Sequence, residues 1–306
     1  MEQVEGKVAF ITGGASGVGF GMAQVFARNG MKVVIADIRQ DHLDQAMSHF
    51  GSTNGSVHPI LLDVTDRAAM AAAADEVERV FGKVHLVCNN AGINLFNDMA
   101  EASYDDWDWV MGVNLGGVIN GVKTFIPYIR KHGEGGHIVN TASMASFIAG
   151  PGAGIYTASK FAVRGLSEAL RYSLSPHGIG VSCLCPGLVK SHIYDSDKIR
   201  PESLMDTGQK ENPEFKERLA KVHDFGMEPE EVGEKVLAGI RRNDLYIFPH
   251  PEFKDELAEI FDEALEALPT EAAPAERLAF EVGRRAFKEK AKAGQYTDIR
   301  DRLNPK

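Results

Sequence analysis

A rhythm limits the folds open to this chain more than any single motif does. Short runs that are apolar throughout (KVAFIT, KVVIAD, HPILLD, KVHLVC, GHIVNTA and GIGVSCLCP) alternate with longer stretches of helical spacing. A strand with one wet face alternates apolar with polar residues, so these runs belong to strands covered on both faces. The intervening helices are predicted at 17–29, 40–50, 66–82, 103–131, 156–175 and 229–242, with a late strand at LYIFP. Strand and helix in strict turn, joined by right-handed crossovers, make an α/β fold: a doubly wound parallel sheet with helices on both faces. No repeat or low-complexity linker interrupts residues 1–249, which read as one domain.

Residues 250–306 differ. PEFKDELAEIFDEALEAL and PAERLAFEVGRRAFKEKAKAG, separated by PTEAAP, carry apolar residues at helical spacing, Leu257, Ile260, Phe261, Ala264, Leu265 and Leu268 among them. They are expected to form a C-terminal helical extension packed on the same domain or on a neighbouring subunit.

Charge narrows the partners. A formal net charge of −10 argues against nucleic acid and against an anionic membrane surface. No apolar run nears the roughly 20 residues of a membrane span. The start, MEQVEGKVAFITGG, lacks the basic-then-apolar layout of a secretory signal, so the cytoplasm is expected. Cys88, Cys183 and Cys185 read as small buried hydrophobes in a reducing compartment. His192 and His223 read as surface or packing residues, and His250 with Glu252 lacks a ligand set, so no metal is expected.

The first strand runs straight into TGGASGVGFG, where Thr12, Gly13, Gly17 and Gly19 give the spacing TGxxxGxG as a helix begins. Glycines permit a tight turn and close approach to a ligand, and a helix N-terminus offers N–H groups to a pyrophosphate. The second strand ends at Asp37, whose carboxylate suits ribose hydroxyls and repels a 2′-phosphate. Ile38 follows it and residues 14–16 hold no cation, which favours NAD over NADP; Arg39 is the one nearby charge acting the other way. Later, Tyr156 and Lys160 stand four apart in IYTASKF, one above the other on a helix. An ammonium there favours phenolate, so Tyr156 is expected to titrate below its ordinary value of about 10.

Six motifs in order, TGGASGVG, NNAG at 89–92, Asn114 in VNLGG, Ser143, the YxxxK pair and PG at 186–187, resemble the short-chain dehydrogenase/reductases over residues 6–248. The glycine spacing resembles the compact branch of that family, with a Rossmann fold and NAD-dependent chemistry on CH–OH groups. The resemblance implies Tyr156 as general acid/base, Lys160 lowering its pKa and holding the nicotinamide ribose, Ser143 orienting the substrate oxygen, and Asn114 keeping a water link to Lys160. It implies a cofactor site of Thr12, Gly13, Ser16, Gly17, Val18, Gly19, Asp37, Asp63, Val64, Asn90, Ala91, Gly92, Pro186, Gly187, Val189 and Ser191, with Tyr156 and Lys160. Ser191 stands where the family more often has Thr, and the hydroxyl survives.

For the substrate, Phe96, Ser143, Phe147, Ile193 and Tyr194 are the expected pocket residues, suited to a bulky apolar or aromatic secondary alcohol or its ketone. The turn-rich stretch 192–226 is expected to be a lid. The family implies a homodimer or homotetramer. The tail is similar to those of bacterial dehydrogenases that oxidise the benzylic alcohol of lignin-derived aryl ethers. Two other readings remain open. A dinucleotide-sensing protein without turnover is opposed by the Asn114, Ser143, Tyr156 and Lys160 set. An NAD-linked isomerase or dehydratase is opposed by the loop spacing.

Overall fold

Strands β1 (Val8–Thr12), β2 (Lys32–Asp37), β3 (Val57–Leu61), β4 (Leu86–Asn89), β5 (Gly136–Thr141), β6 (Ile179–Leu184) and β7 (Tyr246–Ile247) form one parallel sheet. Their order is β3-β2-β1-β4-β5-β6-β7 in a computed structural model describing residues 1–51, 55–208 and 212–295. The helices are α1 (Gly17–Arg28), α2 (Gln40–Phe50), α3 (Arg67–Phe81), α4 (Tyr104–Met111), α5 (Gly117–His132), α6 (Gly154–Leu174), α7 (Pro213–His223), α8 (Pro229–Arg242), α9 (Lys254–Glu266) and α10 (Ala275–Lys292).

Alternation along each strand feeds two cores. Ala9, Ile11, Val33 and Ile35 pack with Met22 and Phe26 of α1, Leu43 of α2, and Val236 and Ile240 of α8. Val8, Phe10, Val34 and Ala36 face the other way, onto Met70 and Val77 of α3, Phe125 and Ile129 of α5, and Leu174 of α6. The rings of Phe10 and Phe125 lie 4.3 Å apart at the centre of that second core. Truncating either to Ala would cost about 3–5 kcal/mol. Both sheet faces are therefore covered, as the apolar runs require. Among the described residues no helix is long and apolar enough to cross a membrane.

Three expectations change. The helix predicted over 103–131 is α4, a π turn at Gly112–Gly116, and α5. The wider turn inserts a residue into the helical ladder, and such bulges gather at functional sites. The stretch 192–226 is more ordered than its turn residues suggest: α7 and two short 3₁₀ segments occupy it, and residues 209–211 lie outside the described residues. The extension barely covers the sheet domain. Leu257 packs on the core and Phe261 meets Phe147, and α10 rests on α6 through Ala291 and a 2.9 Å bond from the Ser175 hydroxyl to the Lys292 carbonyl. Leu265, Leu268, Leu278 and Val282 remain more than half exposed. Residues 296–306 of the expected extension lie outside the described residues.

Candidate active site

The strands' carboxyl ends open into a cleft of about 1000 Å³ above the point where strand order reverses, between β1 and β4. In open α/β sheets that crevice is where ligands bind. The glycine loop forms one wall, and its backbone leaves no room for side chains. Gly13 has φ +60°, and a Cβ there would stand 2.9 Å from Ala91 Cα; on Gly19 it would stand 2.0 Å from the Gly13 carbonyl oxygen. The first turn of α1 holds no acidic residue, and Ser16 makes no side-chain cap, so nothing competes with an anion for that helix end.

Thr12 ties this loop to NNAG. Its Oγ1 accepts from the amides of Asn90 (2.9 Å) and Ala91 (3.1 Å), while Asn90 Nδ2 donates to the Thr12 carbonyl at 3.1 Å. Thr12 and Gly19 thus sit behind the wall and shape it. At the end of β2, Asp37 is 7% exposed and accepts from the amides of Arg39 (3.1 Å) and Ala15 (3.3 Å). Burial raises its pKa more than these bonds lower it. The Arg39 guanidinium turns away to Asp41, with Nε 3.0 Å from Oδ1. Asp63 and Val64 complete that end of the cleft, and Asp63 Oδ1 accepts from the Thr65 amide. A dinucleotide fits this donor set: a side-chain-free cradle, an uncapped helix end and a buried carboxylate on the cleft's lining.

The reactive side chains converge on the far wall. Ser143 follows β5, and Tyr156 and Lys160 lie in the first turns of α6. Tyr156 and Ser143 both line the cleft, and the Ser143 hydroxyl accepts from the Ala145 amide at 3.1 Å. Lys160 is 3% exposed, donates to the Thr141 carbonyl at 3.0 Å, and lies 5.3 Å from the centre of the Tyr156 ring. Asn114, wholly buried in the π turn, donates to the Ile93 carbonyl and the Ser159 hydroxyl at 3.0 Å each and accepts from the Ile93 amide at 2.8 Å. A Cβ on Gly92 would lie 3.3 Å from Asn114 Oδ1 and 3.4 Å from Lys160 Nζ, so the two converge behind that glycine.

The expected depression of Tyr156 does not appear in the folded chain. Burial raises its pKa, and neighbouring Ser143 pulls the other way without prevailing. Burial also pushes Lys160 down, to about 8. The cation sits over the ring rather than beside the oxygen, and desolvation acts on both groups.

Ser16, Val18, Pro186, Gly187, Val189, Ser191, Phe96 and Ile193 line the cleft as expected residues of it, with Gly13, Gly17, Asn90, Ala91 and Gly92. Two expected pocket residues do not. Phe147 turns into a cluster with Tyr246, Phe248 and Phe261, capped by the Arg164 guanidinium 3.7 Å from its ring. Tyr194 meets the rings of His192 and His223 at tilts of 52° and 51° beside a separate cavity of about 420 Å³. In their place Trp109, Leu204, Leu219, Val222 and Phe253 give the cleft apolar walls. Trp109 carries no motif; its place follows from the π turn after α4. The middle of the stretch 192–226 is fastened to Asp106, buried at the start of α4, which accepts from Arg200 (2.7 Å), Thr207 (2.8 Å) and the Gly208 amide (2.9 Å).

A sequence profile described as "short chain dehydrogenase" matches residues 7–200. A "C alpha-dehydrogenase" from Sphingobium sp. (strain NBRC 103272 / SYK-6) is 42% identical over 276 residues, 90% of each chain. Two solved structures are similar throughout. LigO in its apo form, from Sphingobium sp. strain SYK-6, shares 44% identity at a TM-score of 0.76, covering 94% of this chain and 98% of that one. A short chain dehydrogenase/reductase from Burkholderia phymatum in complex with NAD shares 36% at a TM-score of 0.82, covering 90% and 100%.

Proposed function

Because the chain belongs to the short-chain dehydrogenase family, oxidoreductases that act on CH–OH groups with a nicotinamide dinucleotide, we propose that it interconverts a bulky aryl or apolar secondary alcohol and its ketone with NAD. One observation carries this reading: Ser143, Tyr156 and Lys160 line one cleft with the glycine cradle and Asp37. The loop from Gly13 to Val18 would hold the pyrophosphate, Asp37 the ribose, and Asp63 and Val64 the adenine end. Asn90 to Gly92 and Pro186 to Ser191 would hold the other half. When bound, the dinucleotide supplies the hydride acceptor.

The protein's residues supply orientation and proton transfer. Ser143 holds the carbinol oxygen, and the Tyr156 oxygen takes its proton in oxidation and returns it in reduction. Phenolate is needed against the burial that disfavours it; Ser143 lowers the pKa in part, and the Lys160 ammonium lies over the ring, 5.3 Å from its centre. With Lys160 at about 8, its ammonium keeps its proton near pH 7. Asn114, converging with Lys160 behind Gly92, relays that group toward solvent through water.

NAD is favoured over NADP because Asp37 is buried on the cleft's lining while Arg39, also on that lining, is engaged by Asp41. The aryl carbinol rests on the walls of Phe96, Trp109, Ile193 and Leu204, on the relative named a C alpha-dehydrogenase, and on the tail's resemblance. A homodimer or homotetramer, with the bare stripe of α9 and α10 against a neighbour, belongs to the same reading. A screen of aryl carbinols with NAD and NADP, followed by absorbance of the reduced nicotinamide, tests it. Turnover with NAD is expected; no reduction with any carbinol, or faster reduction of NADP, contradicts it.

A further inference from the structure

The first residues of the C-terminal extension lie beneath the Pro186–Val189 loop. His250, 5% exposed, meets this loop with both ring nitrogens. Its Nδ1 accepts from the Gly187 amide at 3.0 Å, and its Nε2 lies 2.9 Å from the Leu188 carbonyl oxygen. A carbonyl only accepts, so Nε2 carries the proton and Nδ1 is bare: the two bonds select one tautomer of the neutral ring.

Phe253 completes the contact. A Cβ on Gly187 would stand 2.4 Å from Phe253 Cε2 and 3.1 Å from His250 Cγ, so glycine is required for the loop to rest this low. The ring of Phe253 continues to the cleft wall. The loop's other attachments come from two places. Ser143 and Met144 reach the Pro186 carbonyl, at 3.4 Å and 2.8 Å, and Met227 at the lid's exit donates to the Leu188 carbonyl at 2.9 Å. His250 grips adjacent residues, Gly187 through its amide and Leu188 through its carbonyl, with one side chain.

We propose that His250 is a positioning residue for the dinucleotide, with Phe253 as its wedge: by fixing Gly187 and Leu188 it sets the height of the loop that faces the nicotinamide half of the cleft. The start of the extension is thereby part of the cofactor site, although the rest of α9 and α10 stands apart from it. This deepens the reading of Pro186 to Ser191 as a dinucleotide contact and rests on it.

The full-length chain carrying His250→Ala, His250→Asn or His250→Gln tests the assignment. Asn keeps an acceptor near the position of Nδ1, and Gln keeps a donor near that of Nε2. NADH affinity is read from the fluorescence of bound NADH, loop protection from hydrogen exchange in the peptide spanning 185–192, and folding from the melting temperature. His250→Ala is expected to weaken NADH about tenfold, the loss of one or two net hydrogen bonds, and to speed exchange in that peptide. The KM for NAD should rise more than kcat falls, and Asn or Gln should recover part of the affinity. If the Ala variant is unfolded at assay temperature, the Asn, Gln and Phe253→Ala variants carry the test. Folded variants with unchanged NADH affinity, or with a lower melting temperature as the only effect, overturn the proposal and leave the dinucleotide site intact. Failure of the unsubstituted chain to bind NADH overturns the site itself.

Discussion

The sheet presents buried ionisable residues at both of its ends, beside a cavity of about 240 Å³ at the amino end and the cleft of about 1000 Å³ at the carboxyl end. At the amino end, His85 Nδ1 accepts from the Val8 amide at 3.1 Å and its Nε2 meets Glu134 at 3.1 Å. Glu134 also binds Lys7 at 2.7 Å and pairs with Lys83. His132 donates to the Val84 carbonyl at 2.8 Å and accepts from the Glu134 amide at 3.1 Å. His85, His132 and Glu134 bring their ligand atoms within 4.8 Å of one another, the donor set of a metal site, yet each is engaged by a neighbour in the chain. Nearby, wholly buried His137 is pushed down to about 3 by desolvation, and the lysines and His85 hold Glu134 well below the usual carboxylate range.

At the carboxyl end burial shifts Asp37, Tyr156 and Lys160 as well. A perturbed pKa therefore does not tell the two ends apart. Geometry does: the amino-end groups close on one another in ion pairs and hydrogen bonds beside a small cavity, and the others face the far larger cleft.

Substitutions at the two ends should separate on that basis. The largest effect is expected from Lys160→Met, which removes the charge beside Tyr156. It should lower kcat/KM for carbinol oxidation about 10³-fold, the range of general acid–base catalysis, with the melting temperature little changed. A variant within twofold of the parent would erase the contrast. Next, Asp37→Ser should shrink the preference for NAD over NADP at least about tenfold, equivalent to ~1.4 kcal/mol, as measured by kcat/KM with each coenzyme.

At the closed end the readout should be stability alone. His137 has a folded pKa of about 3 against an ordinary 6.5, so the unfolded chain takes up the proton first. The stability it contributes is complete above about pH 6.5 and is lost as pH falls toward 3. Denaturant midpoints from pH 7 to 4 should fall in the parent and fall less steeply in His137→Gln, once both are referred to their values at pH 7. The smallest effect is expected from Glu134→Gln. Its partners are partly exposed and screened, so a slight loss of melting temperature should diminish further in high salt, with kcat unchanged. A drop in kcat there would give the amino end a role it lacks in this account.

What the sequence made legible was local. The glycine loop, Asp37 and the Tyr156–Lys160 pair each lie within one strand–turn–helix unit, where spacing alone dictates neighbours. The π turn at Asn114 was hidden because one inserted residue leaves the apolar pattern almost unchanged. Phe147 and Tyr194 were misplaced because short 3₁₀ turns set the direction of each ring, and residue type says nothing about that rotation. His250 was weighed only as a metal ligand, with Glu252, because its partners, Gly187 and Leu188, are more than sixty positions away. The rise of Tyr156 was missed for a related reason: adjacency to a cation is visible in a string of letters, whereas desolvation is a property of the whole packed wall.

The account depends most on the Tyr156 oxygen as the atom that moves the proton. Single-turnover reduction of NAD by an aryl carbinol should be compared between the parent and Tyr156→Phe, with NADH affinity measured alongside by fluorescence. The phenylalanine variant should bind NADH within about twofold of the parent and lose at least about 10³ in the single-turnover rate. A rate close to the parent's at unchanged affinity would contradict it.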